Sequence, residues 1–333
     1  MFRYISHLID DQDPVIIMPY GGYANDEKII AQARVLEDEG IEGGEDSSII
    51  QNLYRSFKRF ETDEKENIHV EALWQGKSVQ LQSDDEGYIY LNEVHGLNLN
   101  HQRTLWLPVT FKLDLKDEAP FEITSNIMKP SKMAEFGVIS DMDETLISTG
   151  LDSTLRWKVI VNTFLKDSEE RLPLDGAFEL CKKLHGGRNG YAENPFFYLS
   201  NSPWNIHDYL LAFLEKQNFP KGVLLLRDIG FENKKKKSFL EENKYIQISN
   251  ILNTYPKLRF VLIGDAEDKD PEIYERIAKD FPQRILCIYI RSVSNKEKMV
   301  SVAKLIESST DVQIKIIEHS SEAIDHAKDL GLI

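Results

Sequence analysis

Phe136-Gly137-Val138-Ile139-Ser140-Asp141-Met142-Asp143-Glu144-Thr145-Leu146 decides the fold, because a short apolar run ends abruptly in three carboxylates. Such a run reads as a buried strand that stops at a polar loop. From Phe136 onward short apolar runs alternate with amphipathic stretches, the pattern of βαβ units on a parallel sheet. Strands are expected at 136–139, 196–199, 223–226, 260–263, 285–290 and 312–317. Helices are expected at 154–166, 176–184, 206–216, 236–255, 271–279, 296–306 and 321–330.

Upstream of this stretch the pattern differs. The first 115 residues or so break into short extended segments at 15–18, 28–36, 68–74, 79–81, 88–91 and 105–113, rich in aromatic and β-branched residues. Gly76 with Lys77 and Glu86 with Gly87 stand where hairpin turns are needed, and 52–61 reads as a short helix. The stretches 116–120 and 130–132 read as the connection to the C-terminal part. The expected architecture is α/β: a β-rich N-terminal domain over residues 1–128, a small sandwich or barrel, then a Rossmann-like catalytic domain with a parallel sheet over 129–333.

The chain has 333 residues, of which 41% are hydrophobic, 29% charged and 10% aromatic, a composition that excludes overall disorder, collagen and coiled coil. Its 40 Lys and Arg against 55 Asp and Glu leave a net charge of −15, which repels nucleic acid at long range. The excess is uneven: residues 1–130 hold 12 basic and 24 acidic residues, net −12, leaving net −3 for 131–333. An anionic interface, if one is used, is therefore expected to meet the catalytic part. Cys181 and Cys287 are far apart and form neither a disulfide framework nor a CxxC metal motif. The N-terminus lacks a signal-like apolar core, and no run approaches the roughly 18 apolar residues of a membrane span. A cytoplasmic protein is expected, with peripheral membrane attachment left open.

Chemistry gathers at the strand ends. In open α/β sheets ligands bind beyond the carboxyl ends of the strands. Asp141 and Asp143, two apart, can share one pocket, one as nucleophile and the other as acid/base. Phe196–Leu199 runs into Ser200-Asn201-Ser202-Pro203-Trp204, a hydroxyl and backbone N–H groups ahead of a helix, which suits a phosphate. Phe260–Ile263 runs into Gly264-Asp265, with Asp268 and Asp270 just beyond, and such hard oxygen ligands suggest magnesium. Lys244 could neutralise a phosphoryl oxygen. No HExxH, GxxxxGK[ST] or clustered cysteines occur, which sets aside zinc hydrolysis and P-loop nucleotide binding.

In the order DxDxT, then Ser, then Lys, then Gly-Asp with a trailing Asp, these features resemble the haloacid dehalogenase superfamily of phosphoryl-transfer enzymes. The strings Phe136–Asp141, Ser200–Trp204, Leu225-Leu226-Arg227-Asp228, Val261–Asp265 and Asp270-Pro271-Glu272-Ile273-Tyr274 further resemble the actin-patch-associated phosphatidate phosphatase family, itself related to the lipins. The N-terminal strings Tyr20-Gly21-Gly22-Tyr23 and Ala33-Arg34-Val35-Leu36 also resemble that family, so the likeness runs from about Tyr20 to the C-terminus.

The resemblance implies a Mg2+-dependent phosphatase that forms an aspartyl-phosphate on Asp141, with Asp143 as acid/base. Asp141, the backbone carbonyl of Asp143, Asp265 and a trailing Asp would hold the magnesium. Ser200 and Lys244 would stabilise the phosphoryl oxygens, and Thr145 would orient the loop. The family string favours Asp270 over Asp268 as the trailing ligand. Glu144 stands where the family commonly has Asp, at the variable position of the motif. Only 59 residues separate Asp141 from Ser200 and 44 separate Ser200 from Lys244, too few for a large cap, so a bulky or interfacial substrate such as phosphatidate is expected.

Other monoesters, protein-borne or soluble, fit the same residues. A noncatalytic module or a phospho-receiver on the same fold is the rival of another class; Asp143 weighs against a receiver because an acid/base there would shorten the life of the acyl phosphate. Helix 154–166, with Trp157 and Phe164, reads equally as a small lid or as core. The Lys234–Lys237 run reads first as a solvated helix start and second as a head-group contact. Trp204 is assigned to packing or to substrate with equal weight, and His207 to the surface or a cap rather than to acid/base work.

Overall fold

The computed structural model describes residues 15–37, 65–99, 101–114, 120–142, 145–146, 176–227, 236–309 and 312–333. Within them the chain forms two sheets. The first contains β1 (Val15–Ala24), β2 (Lys28–Glu37), β3 (His69–Trp74), β4 (Lys77–Gln82), β5 (Tyr88–Val94), β6 (Leu105–Leu113) and β7 (Phe121–Lys129), in the order β4-β3-β6-β7-β1-β2-β5.

This is one sheet rather than the two stacked sheets of a sandwich. The turn 83–87 forms as the sequence suggests: Asp84 Oδ1 accepts from the N–H groups of Glu86 (3.0 Å) and Tyr88 (2.7 Å), and Gly87 takes φ +78°. The strands it joins do not make a hairpin, because β4 and β5 lie at opposite edges of the sheet. Six Cα steps from Gln82 to Tyr88 reach at most about 21 Å, whereas seven strands laid flat would be about 29 Å wide. The sheet must therefore curl until its edges approach, as in an incomplete barrel. Its concave side encloses Ile17, Ile29, Val70, Ile89, Phe111 and Ile127, drawn from six of the strands. The β3–β4 hairpin turns through Gln75 and Gly76, both at positive φ, one residue earlier than expected. Strand β7 occupies the stretch between the two expected connecting segments. It pairs with β6 along all nine residues, although Ser125-Asn126 interrupts its apolar pattern. The expected helix at 52–61 lies outside the described residues.

The second sheet contains β8 (Gly137–Asp141), β9 (Phe196–Pro203), β10 (Val223–Arg227), β11 (Phe260–Asp265), β12 (Ile285–Arg291) and β13 (Ile314–Ile317). All its pairings are parallel and the order is β10-β9-β8-β11-β12-β13. Taken from β8 this is the doubly wound order 3-2-1-4-5-6. The strands read as near-continuous apolar runs because helices bury both faces. Helices α1 (Ala177–Gly186), α2 (His207–Lys216) and α6 (Ser320–Asp329) cover one face. Helices α3 (Lys236–Thr254), α4 (Asp270–Asp280) and α5 (Lys296–Ser308) cover the other. The strand order reverses between β8 and β11, the switch point beyond whose carboxyl ends such sheets bind their ligands.

The two sheets touch through β1, whose outer face carries Met18 and Tyr20 into the core on one side of the parallel sheet and Tyr23 into the core on the other. A bulge makes this geometry: Pro19 pairs with Ala33 and Gly22 with Ala31, so Tyr20 and Gly21 together oppose Gln32. A Cβ on Gly22 would fall 2.0 Å from the Ile30 carbonyl oxygen, within the β1–β2 pair itself. Gly22→Ala is expected to destabilise the protein by about 2–4 kcal/mol. Equilibrium urea unfolding measures this, and a variant within about 0.5 kcal/mol of wild type would show that the close approach is dispensable.

Candidate active site at the strand switch point

Parallel register brings the catalytic candidates together. Asp141 closes β8 opposite Leu199 of β9, so Ser200 comes one residue beyond it on the neighbouring strand. On the other side Ser140 pairs with Ile263, and two residues later Asp265 closes β11. Asp270 is the first residue of α4, with Pro271 favouring the helical start. Among the described residues, Asp141, Asp265 and Asp270 form a buried group whose carboxylate oxygens lie within 4.8 Å of one another.

Lys244, on α3, reaches into this group from the face of the sheet. Its Nζ donates to Asp141 Oδ1 at 2.7 Å and also to Asp270 Oδ1. Asp265 is held by its own loop, its Oδ1 accepting from the N–H groups of Glu267 at 2.6 Å and Asp268 at 3.0 Å, while the Thr145 hydroxyl donates to its Oδ2 at 3.4 Å. Gly264 makes room for this assembly, since a Cβ there would fall 2.3 Å from Asp270 Oδ2. Of the two candidate trailing carboxylates, Asp270 enters the group and Asp268 instead accepts from Asn201 Nδ2 at 3.4 Å. Ser200 Oγ accepts from the Ser202 N–H at 3.0 Å, tightening a turn within β9, where the pairing with β10 jumps from Leu199 to Pro203. Asp143 and Glu144 lie outside the described residues, as does the expected helix at 154–166. The side chains of Lys234–Lys237 are likewise outside them.

The electrostatics arise from burying three carboxylates with one ammonium. Burial pushes Asp265 up to about 7, and the charges of Asp270 and Asp268 push the same way. Asp270 is also raised, burial outweighing the pull of Lys244. For Lys244 burial favours the neutral amine, but the carboxylates of Asp141 and Asp270 hold it well above its ordinary value, so it remains an ammonium.

Three neighbours of the site were not singled out from the sequence. Tyr274 lies fully buried with its ring 5.9 Å from Lys244 Nζ, and its hydroxyl donates to the Ile263 carbonyl at 3.1 Å. It stands four residues after Asp270 on a helix, so the i, i+4 spacing was the available signal. Asn201 and the close approach at Gly264 depend on loop geometry that spacing does not encode. Trp204 is 4% exposed and stacks on Tyr20 at 4.4 Å, which places it in packing. His207 is no surface residue: it is 5% exposed and packs against the same tyrosine, because the turn after β9 folds back beneath β1.

Residues 136–292 match the family described as phosphatidate phosphatase APP1, catalytic domain. Over this stretch the chain, a doubly wound α/β unit with carboxylates at its switch point, is similar to that family. The phosphatidate phosphatase APP1 of Saccharomyces cerevisiae is 31% identical over 221 residues, 65% of this chain and 36% of the yeast protein. An uncharacterised protein of Schizosaccharomyces pombe is 34% identical over 100 residues, 29% of this chain and 16% of its own. The chain thus spans about a third or less of the length of these curated relatives. A carbohydrate acetylesterase from Xanthomonas citri aligns over 96% of this chain and 73% of its own at 9% identity, with a TM-score of 0.30, too low to define a shared fold.

The raised carboxyl of Asp265 contributes to the pH dependence of stability, in the same direction as that of Asp270. Because the folded state holds a proton that the unfolded state releases near pH 4, folding takes up protons between about pH 4 and pH 7. The metal-free protein should therefore lose stability as pH rises through this window, and Asp265→Asn should flatten the slope. Melting in chelator at a series of pH values measures it; an equal slope in the variant would contradict the assignment.

Proposed function

We propose that this chain is a magnesium-dependent phosphatase of the haloacid dehalogenase type, and that its substrate is phosphatidate, released as diacylglycerol and inorganic phosphate. The carrying observation is the buried Asp141, Asp265 and Asp270 group around Lys244 at the switch point. The name of the yeast relative supports the choice of lipid. The proposed units are a β-rich N-terminal domain, 1–128, and the catalytic domain, 129–333.

The donor set fits magnesium. Three ionised carboxylates and one ammonium sum to −2, the charge a divalent cation would balance, and all the donors are hard oxygens. Asp141, Asp265, Asp270 and the Asp143 carbonyl would hold the ion, which when bound would neutralise charge on the phosphoryl group and keep these carboxylates ionised. The chain's own residues do the rest. An Asp141 oxygen attacks phosphorus, and the bond from phosphorus to the alcohol oxygen breaks as Asp143 delivers its proton to that oxygen. Asp143 then takes a proton from water, whose oxygen attacks phosphorus, and the bond to Asp141 breaks to free inorganic phosphate. Lys244 and Ser200 meet the phosphoryl oxygens, and Thr145 keeps Asp265 in place. No helix among the described residues is long and apolar enough to cross a membrane, and peripheral attachment of a cytoplasmic protein is the reading we favour.

Steady-state phosphate release with magnesium tests the proposal. Wild type should turn over phosphatidate in liposomes, while Asp141→Asn and Asp143→Asn should each lose at least about a hundredfold. A wild type inactive on every monoester, or an undiminished Asp141→Asn, would overturn the enzyme; turnover of soluble monoesters alone would overturn the lipid.

A further inference from the structure

The string Tyr20-Gly21-Gly22-Tyr23 belongs to the N-terminal sheet, far in sequence from every carboxylate of the site, yet its two tyrosines grip the strand that carries Ser200. Gly21 takes φ +78° at the bulge, a conformation that costs glycine little and turns the chain so that tyrosines three residues apart enter the two separate cores flanking the parallel sheet. Tyr23 meets Phe197, near the start of β9, edge-on at 5.6 Å, and packs on Tyr255 at 6.1 Å. The Tyr255 hydroxyl donates to the Ala24 carbonyl at 3.0 Å, which ties the bulge to the end of α3. Tyr20 meets the other end of β9. Its ring stacks on Trp204 at 4.4 Å with an interplanar angle of 22°, and meets His207 edge-on at 5.2 Å.

Trp204 stands four residues after Ser200 and two after Ser202, and Ser202 donates its N–H to Ser200 Oγ. Tyr20 is 4% exposed, Trp204 4% and His207 5%, so the cluster is a dry anchor at the base of the turn rather than a surface contact. The β1 bulge thus packs at both ends of β9, and the turn that interrupts β9 lies between Leu199, paired with Leu225 of β10, and Pro203, paired with Arg227 and followed at once by the Trp204 ring stacked on Tyr20.

We infer that Tyr20 is a positioning residue: through its stack on Trp204 the N-terminal sheet holds the Ser200–Ser202 turn in the shape that receives the phosphoryl group. The inference rests on the role proposed above for that turn. It gives the N-terminal sheet an indirect part in the site.

Amide hydrogen exchange on the full chain tests it, with Tyr20→Leu, Tyr20→Ala and Tyr20→Phe. Losing the ring should speed exchange over 200–204 by about fivefold or more, leaving β8 and β11 at the wild-type rate, whereas Tyr20→Phe keeps the ring and should stay within about twofold. In the same two ring-less variants inorganic phosphate should bind about fivefold more weakly in saturating magnesium, while the magnesium dissociation constant stays within about twofold of wild type. Tyr20→Leu keeps apolar volume, so it remains informative if the alanine variant unfolds. Exchange over 200–204 at the wild-type rate in Tyr20→Leu, or an equal rise in β8 and β11, would overturn the inference. A wild type that turns over no monoester would remove the proposed activity, while the exchange pattern would still decide whether Tyr20 positions the turn.

Discussion

One buried ammonium faces three buried carboxylates at the centre of this molecule, and that charge imbalance constrains everything around it. Lys244 can ion-pair with Asp141 and Asp270 only because α3 crosses the face of the sheet beneath them, and Asp265 approaches only because β11 lies directly beside β8. A buried ion pair gains little by itself, since desolvation offsets most of the Coulomb attraction. Burial raises the carboxyls of Asp265 and Asp270, and two ammonium contacts shared among three acids do not offset it. Such a site is arranged for cationic or protonic chemistry more than for stability.

The doubly wound order supplies this arrangement cheaply. Each strand needs only a run of apolar residues, and parallel pairing then aligns their ends, so side chains distant in sequence converge without a dedicated scaffold. Local devices refine the placement. Gly264 admits the Asp270 carboxylate, Pro271 starts α4, and the Glu267 and Asp268 amides hold Asp265.

The N-terminal sheet is tied to this centre through both faces of β1. The inner face fills the curled sheet with Ile17, and the outer face sends Tyr20 and Tyr23 to either side of the parallel sheet. Curling is a consequence of chain length alone, since a five-residue turn joins strands that would stand too far apart in a flat sheet. The net −12 of residues 1–130 is a property of the sequence upstream of the carboxylates, whose local charge depends on the ion they would hold.

Much of the catalytic half was legible in the sequence. Each expected strand from 136–139 to 285–290 is present within a few residues, because fully buried parallel strands are continuous apolar runs and amphipathic helices separate them. The acidic strand ends were visible for the same reason. Pairing in the N-terminal sheet was not, since alternation says which residues face inward but not which strand lies beside which. Glu86-Gly87 makes the expected turn without the expected hairpin, and β7 is hidden by Ser125-Asn126 although it lies centrally. The sequence by itself determined that carboxylates and a hydroxyl would stand at strand ends of a parallel sheet, because periodicity and composition are local properties. Only the tertiary structure decided that Asp270 joins the group while Asp268 turns to Asn201, and that Tyr20 and His207 are buried together. Those outcomes depend on how loops and sheets pack across 67 residues of chain in one case and 187 in another, where no local pattern carries the information.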